Sequence, residues 1–485
     1  MTKVKARFSS SAGGILKILL IEDNRDYSDA LSQSLREAGA ECVNAYDSAS
    51  AITLATDSMY DLIVLDLKLP STTGALDAKA ENGHFLYAEI SKLAPGTPIR
   101  ILTSSDPDQF LRRLVGQGER SDIWGSGEEI PLVAYYEKEE ATELIEEVKK
   151  HSATIAATNS IAINSRGIDL KLSPPQRRAI QVFVRSSNGS SCNARRLGGL
   201  SGSVVLMINV RDSNDRTISD VAGKVGFRDK LHKEISAYDR HVRHLGIGGF
   251  AHIVSKQDKG LHRMSAVFYR LANNYTNTFF DLAHRDPERA AQAISDIRKI
   301  LETWGEAREL KKVSAREIRQ SLINDEQIST LSIYNEIENL DTIENTVISI
   351  SSSCCHGDLH GSNILLNDAF QPVIIDYGDV SSGFSCLDPI TLELSLVFHP
   401  DAEHSRNELS PRLRQWPSLD EYTRENRLAP VIKACRNWAY DVSGGDQAVI
   451  ATAYAFAMRQ LKFDTVAREV TMPLISTLAA TLERS

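Results

Sequence analysis

Residues 354–379, CCHGDLHGSNILLNDAFQPVIIDYGD, decide how the larger part of this chain is read. The stretch holds two histidines, four aspartates and two asparagines around two apolar runs of strand-like character. Asp358 can accept a proton from a hydroxyl, and Asn363, five residues later, can reach a metal ion. Asp376 closes the run PVIID, where it can hold the same ion against the β- and γ-oxygens of a nucleotide. An aspartate, four intervening residues and an asparagine, followed by strand, aspartate, aromatic and glycine, form a specific pattern.

Upstream, LGGLSGSVVLMINV (197–210) sets Gly198, Gly199 and Gly202 before an apolar run, a loop whose backbone N–H groups can approach phosphates. By itself that loop is weak support. Fourteen residues on, VAGKVGF carries Lys224 on a predicted strand, and ten residues later the predicted helix LHKEISAYDRHV carries Glu234. A strand lysine paired with a helix glutamate is the arrangement that holds α/β-phosphates in kinases.

With these pieces in order, residues 173–485 resemble the aminoglycoside/choline phosphotransferase branch of the protein-kinase-like fold, which writes its catalytic loop HGDLHxxN and its metal motif IDxGD. The resemblance implies ATP and Mg²⁺ as cofactors, Asp358 as catalytic base and Asn363 and Asp376 as metal ligands. It also implies Lys224 and Glu234 as the phosphate-holding pair, and Phe268, Tyr269 and Arg270 as part of an adenine hinge. His356 and His360 are read as braces of the loop, because no third ligand is spaced for zinc. Asp379 is read as a supporting acid and Asp388 as a structural anchor.

The first 150 residues are written differently. Ile15–Ile21 is an apolar run that ends at Glu22 and Asp23, and DLIVLD ends at Asp66. Further strands are predicted around 42–45, at Ile99–Thr103 and at Leu132–Tyr136, with helices between them and a closing helix over Thr142–Lys150. Alternating strands and helices imply a doubly wound parallel sheet, whose ligands sit beyond the carboxyl ends of the strands. Glu22, Asp23, Asp66, Thr103 and Lys138 all fall there. Three converging carboxylates repel unless a divalent cation lies between them, and an all-oxygen set suits Mg²⁺.

Residues 15–152 thus resemble a two-component receiver domain. The resemblance implies Asp66 as phospho-acceptor and, with Glu22 and Asp23, as metal ligand. It also implies Thr103 as switch hydroxyl, Tyr135 as aromatic switch, Lys138 as phosphate-contacting lysine, and a histidine kinase as donor in trans. The chain departs from the family at Glu139, where proline usually follows the lysine. It departs again in two insertions, ALDAKAEN after Asp66 and GQGERSDIWGSGEE before the last strand, both expected on or near the phosphorylation face.

Length and charge bound the rest. A chain of 485 residues suits two or three domains. A net charge of −9 argues against a nucleic-acid partner. Six scattered cysteines without metal spacing read as reduced thiols of a cytoplasmic protein. No apolar run approaches membrane-spanning length.

The expected organisation is a flexible tail (1–14), a (βα)5 receiver (15–152), a linker (153–172), a kinase-like N-lobe (173–275) and a helical C-lobe (276–485), an α/β receiver followed by an α+β bilobal part. The function expected is a signalling ATP:Mg²⁺-dependent phosphotransferase, controlled by receiver phosphorylation and acting on an unidentified small-molecule or protein acceptor. A second reading stays open. LSPPQRRAIQVFV ahead of LGGLSG is similar to kinase-like domains of bacterial conflict systems, which implies a nucleotide-binding scaffold in a multiprotein assembly.

Overall fold

The computed structural model of the chain describes residues 14–104, 109–116, 118–198, 203–246, 248–271, 275, 277–331, 337, 339–463 and 467–484. The tail expected at 1–14 lies outside these except for Gly14, and Gly199 and Gly202 lie outside them too. The chain divides into two compact units, Met1–Leu231 with Ile253–Arg270, and His232–His252 with Leu271–Ser485.

The first unit opens with β1 (Leu16–Ile21), α1 (Arg25–Glu37), β2 (Ala40–Ala45), α2 (Ser48–Asp57), β3 (Leu62–Leu65), α3 (Ala80–Leu93), β4 (Ile99–Thr103) and α4 (Gln109–Gly116). A short hairpin of β5 (Arg120–Ser121) and β6 (Ile130–Pro131) precedes β7 (Val133–Glu137) and α5 (Ala141–Asn159). The sheet order is β2-β1-β3-β4-β7, with every pair parallel. Both faces of β1 and β3 are buried, which is why their sequences run apolar without alternation. Asn24 caps α1 by accepting from Tyr27 N at 3.2 Å, and Leu31 and Leu35 give its buried stripe. α3 presses on the end of β3 so closely that a Cβ at Gly83 would lie 2.4 Å from Leu67 O, so only glycine fits.

Two sequence expectations change here. The GQGERSDIWGSGEE insertion does not lie at the phosphorylation face. Its Ile123 and Trp124, with Ile130 just after it, are apolar and bury themselves in the core beside α5, where Trp124 meets His151 edge-on at 4.7 Å and Trp124 O accepts from Thr158 Oγ1 at 2.9 Å. These partners sit on the far half of α5, which runs back toward the amino ends of the strands. The second change concerns 153–172. α5 continues to Asn159 because Ile155 and Thr158 extend the buried stripe of Leu144, Val148 and His151, and β8 (Ala162–Asn164) follows almost at once.

β8 adds in parallel to the edge of a second sheet with order β12-β13-β11-β10-β9-β8. It contains β9 (Ser191–Gly198), β10 (Val204–Arg211), β11 (Thr217–Phe227), β12 (His252–Gln257) and β13 (Met264–Arg270). It is covered by α6 (Pro174–Ser186), where Phe183 stacks on Phe268 at 4.0 Å. Gln176 Oε1 accepts from Ser173 N at 2.9 Å, and proline occupies the first turn, where its missing N–H costs no helix bond.

The receiver is seated on α6 by the end of its sheet opposite Asp66. Arg178 Nη1 pairs with Asp61 Oδ1 at 2.6 Å, and Asp61 Oδ2 accepts from Lys17 N at 2.9 Å. Arg185 Nη1 donates to Thr154 O at 2.8 Å and Thr158 Oγ1 at 2.7 Å, and Gly260 N donates to Pro95 O at 3.0 Å. The Arg178 and Asp61 side chains are only 10% and 6% exposed, so removing one leaves a buried charge. Arg178→Met is expected to destabilise the first unit by about 3 kcal/mol. Urea unfolding followed by Trp124 fluorescence measures this, and an unchanged midpoint would show that the pair is dispensable.

α7 (Arg228–Arg240) leads into the second unit. There β14 (Asn277–Thr278), β17 (Ile364–Leu366) and β18 (Pro372–Ile374) form one small sheet, and β15 (Glu309–Ser314), β16 (Val347–Cys355) and β19 (Ser381–Phe384) form another. Around them lie α8 (Phe279–Arg285), α9 (Pro287–Ile300), α10 (Ala315–Gln320), α11 (Asp325–Ser329), α12 (Leu340–Glu344), α13 (Leu387–Phe398), α14 (Glu403–Leu409), α15 (Leu419–Thr423), α16 (Ala429–Ser443), α17 (Asp446–Gln460) and α18 (Arg468–Glu483). α13 is buried along its whole length, so it is apolar on all sides apart from Asp388, Thr391, Glu393 and Ser395. Among the described residues, no helix is long and apolar enough to cross a membrane.

Candidate functional site

At the carboxyl ends of the receiver strands, Glu22, Asp23 and Asp66 each offer a carboxylate oxygen, and these oxygens lie within 4.8 Å of one another. Lys138 follows β7 and sets Nζ 2.6 Å from Glu22 Oε2 and 2.9 Å from Asp66 Oδ2. Burial opposes the Lys138 charge, but hydrogen bonds to Glu22 and Asp66 outweigh it and hold the ammonium above its ordinary range. Burial is also the main reason that the Glu22 carboxyl is raised, with Lys138 working against it and Asp66 with it. Tyr27 closes one side, its ring 4.8 Å from Lys138 Nζ. An all-oxygen set of three acids with one compensating ammonium fits a hard divalent cation.

Thr103 is buried at the end of β4, beside β7. Tyr135 lies on β7, half-buried, its hydroxyl 3.5 Å from Glu137 Oε1. The loop after Asp66 is held by polar contacts: Thr73 Oγ1 donates to Oδ2 of Asp47, the N-cap of α2, at 2.7 Å, and Asn82 Nδ2 to Leu69 O at 2.8 Å.

In the second unit, the end of β16 leads into the loop that opened the sequence analysis. Asp388 fastens it, accepting from His356 N at 2.7 Å and Gly357 N at 2.9 Å, as expected of an anchor. Gly357 has φ of +82°, and a Cβ there would meet Asp379 O at 2.6 Å, so this turn requires glycine. Asn363 Nδ2 donates to Asp358 O at 2.8 Å, and Asn363 O accepts from Ile375 N at 3.0 Å. These bonds tie the Asp358 loop to the strand that delivers Asp376.

Asp376 takes a left-handed φ of +66°, costly for a residue with a Cβ, and is held there by Tyr377. The buried Tyr377 hydroxyl accepts from Ala251 N at 3.0 Å and donates to Ile374 O. A Cβ added at Gly378 would lie 3.6 Å from Asp376 Oδ1 and 3.9 Å from Glu234 Oε2, so both carboxylates close on this glycine. Burial, and then Asp358, raise the Asp379 carboxyl.

His356 braces the loop as expected, with Nε2 3.2 Å from Ile375 O. His360 does so differently. Its ring lies tilted against that of His399 with centroids 4.3 Å apart, Nε2 lies 3.7 Å from Asp358 Oδ2, and Nδ1 is buried without a hydrogen-bond partner.

In the first unit, Gly198 ends β9 opposite Val205, and Lys224 sits on β11 between Val205 and Val267. Phe268 and Tyr269 are buried on β13, the Phe268 ring being part of the core against α6, while Arg270 is exposed.

One residue escaped the sequence reading altogether. Arg459, at the end of α17, donates from Nη2 to Asp358 Oδ1 at 3.3 Å. No local signal announces a contact between residues 101 positions apart.

Residues 18–121 match the response regulator receiver domain family, a span that contains Glu22, Asp23, Asp66 and Thr103 and stops before Tyr135 and Lys138. A response regulator receiver protein of Anaeromyxobacter sp. (strain Fw109-5) is 26% identical over 102 residues, 21% of this chain and 39% of that one. The uncharacterized transcriptional regulatory protein YrkP of Bacillus subtilis (strain 168) is 41% identical over 58 residues, 12% of this chain and 25% of that one. The chain therefore spans well under half the length of these curated relatives.

Among solved structures, a CheY-like receiver from Methanospirillum hungatei JF-1 is similar over 28% of this chain and 99% of its own, with 20% identity and a TM-score of 0.21. The aminoglycoside phosphotransferase APH(4)-Ia is similar over 61% of this chain and 94% of its own, with 11% identity and a TM-score of 0.38. The chain joins a receiver domain with a parallel sheet to a larger part of mixed strands and helices.

Proposed function

We propose that the chain is a signalling phosphotransferase in which a receiver, phosphorylated on Asp66 by a histidine kinase, controls an ATP:Mg²⁺-dependent kinase-like part. In the receiver step, an Asp66 carboxylate oxygen attacks the phosphorus of the donor's phosphohistidine. The P–N bond breaks, the imidazole leaves with the bond's electrons, and an acyl phosphate forms. Glu22, Asp23 and Asp66 would hold Mg²⁺, which neutralises charge on the transferring phosphoryl oxygens. Lys138 would contact the phosphoryl group, and Thr103 and Tyr135 would change arrangement in response.

In the second step, Asp358 would take the proton of an acceptor hydroxyl or amine as that atom attacks the γ-phosphorus, and ADP leaves with the electrons of the broken P–O bond. Asn363 and Asp376 would hold the metal. Lys224 with Glu234, the loop of Gly198, Gly199 and Gly202, and the backbone near Phe268, Tyr269 and Arg270 are the segments assigned to ATP. The observation that carries this reading is the pair of bonds through which Asn363 joins the Asp358 loop to the strand ahead of Asp376. For the receiver, it is the grouping of three acids around Lys138.

Acetyl phosphate with Mg²⁺ is expected to label the wild-type chain and not Asp66→Ala, read as an acid-labile mass increment of one phosphoryl group. Equal labelling of both proteins would remove Asp66 from its role.

A further inference from the structure

The contact between Arg459 and Asp358 is not needed for the transfer step as described. The two side chains are 19% and 33% exposed, and the hydrogen bond is long for an ion pair, at 3.3 Å. Among the described residues, Asp358 is the hydrogen-bond partner of Arg459, so one of five guanidinium donors is engaged. An arginine held permanently on a general base lowers its proton affinity and works against proton removal.

One helical turn further, the exposed Lys462 brings a second cation, its main-chain N–H donating to Arg459 O at 3.2 Å. Two neighbouring like charges are unfavourable alone and favourable once an anion lies between them. On the adjoining wall, His360 and His399 lie with ring centroids 4.3 Å apart, and His360 Nδ1 is buried without a hydrogen-bond partner. Asp401 accepts from Ser362 Oγ at 2.7 Å, and Asp379 interacts electrostatically with both Asp358 and Arg459.

We propose that Arg459 and Lys462 bind an oxyanion carried by the acceptor, a phosphate or carboxylate group on a small alcohol or amine, so that the acceptor is anionic and not a polycation. This rests on Asp358 being the base of the transfer step. When the acceptor binds, the guanidinium turns from Asp358 Oδ1 to the acceptor's oxyanion, and the carboxylate is released to take the hydroxyl proton. The γ-phosphate of ATP offers the same chemistry from a different source, and the test separates the two.

Calorimetry on the full chain uses Mg·AMP-PNP first, and then inorganic phosphate added to the nucleotide-saturated protein. Wild type is expected to bind phosphate, and Arg459→Gln to weaken it by about tenfold or more, equivalent to about 1.4 kcal/mol. Lys462→Gln should weaken phosphate binding less, and Arg459→Lys should recover most of it, while AMP-PNP affinity stays within about twofold throughout. Phosphate that fails to bind the saturated wild type, or binds Arg459→Gln equally well, overturns the proposal. A tenfold loss of AMP-PNP affinity in Arg459→Gln also overturns it, by assigning the guanidinium to the nucleotide. Failure of AMP-PNP to bind wild type is a separate result, which removes the phosphotransferase reading itself.

Discussion

Asp358→Asn is expected to lower ATP-dependent phosphoryl transfer by roughly 10²–10⁴-fold, the range that a positioned general base supplies. The substitution is close to isosteric, and the loop does not depend on the carboxylate for its shape. Asn363 Nδ2 donates to the main-chain oxygen of Asp358, and Asp388 holds the loop through His356 N and Gly357 N. Nucleotide affinity should therefore change little, so the loss falls on kcat and not on KM. Labelled ATP with Mg²⁺, followed by separation of ADP and phosphorylated products, measures it. A scaffold that binds nucleotide without turning it over gives the opposite pattern: equal affinity and an equal, negligible product signal in both proteins. Asn363→Ala is the companion variant. It removes both a proposed metal ligand and the bond to Asp358 O, so it should lose activity with a larger rise in the Mg²⁺ concentration required.

What the sequence made legible follows the range of each interaction. Strand ends at Ile21, Leu65 and Thr103 could be read because a fully buried parallel strand is apolar until it meets its site, and the acids mark the point of exit. The Asp358–Asn363 spacing could be read because the loop makes its own hydrogen bonds within a few residues, from His360 N to Asp358 O and from Asn363 N to His360 O. α5 was cut short at 150 because two members of its buried stripe are polar, His151 satisfied by Glu147 at 2.9 Å and Thr158 by Trp124 O. The period was present, but hydrophobicity alone did not show it. α3 and α4 follow from the alternation of strands and helices, but their ends are not marked in the sequence; α3 starts at Ala80 after Lys79, an N-cap residue without a side-chain bond, and a polar extension.

Arg178 with Asp61 and Arg459 with Asp358 are tertiary pairs, 117 and 101 residues apart, and nothing near either member indicates the other. The first seats the receiver on α6, and the second faces the proposed acceptor.

Arg436→Met is expected to be the most destabilising single change in the second unit, by about 3–5 kcal/mol. Arg436 and Glu393 are 0% and 1% exposed and meet at 2.6 Å, with Arg436 Nε also donating to Glu393 Oε2 at 3.0 Å. The guanidinium lies 3.5 Å over the Trp416 ring and donates to Trp416 O at 3.2 Å, so it joins α13, α16 and the turn before α15. Methionine fills the space but leaves the Glu393 carboxylate buried without its partner. At about 2–4 °C per kcal/mol for a unit of this size, the thermal midpoint should fall by roughly 10 °C. Arg436→Met with Glu393→Leu removes both charges, and should recover most of the loss. Calorimetric scans of the wild type and the two variants distinguish the cases. A double variant no more stable than Arg436→Met would show that the pair's hydrogen bonds, and not the stranded charge, carry the effect.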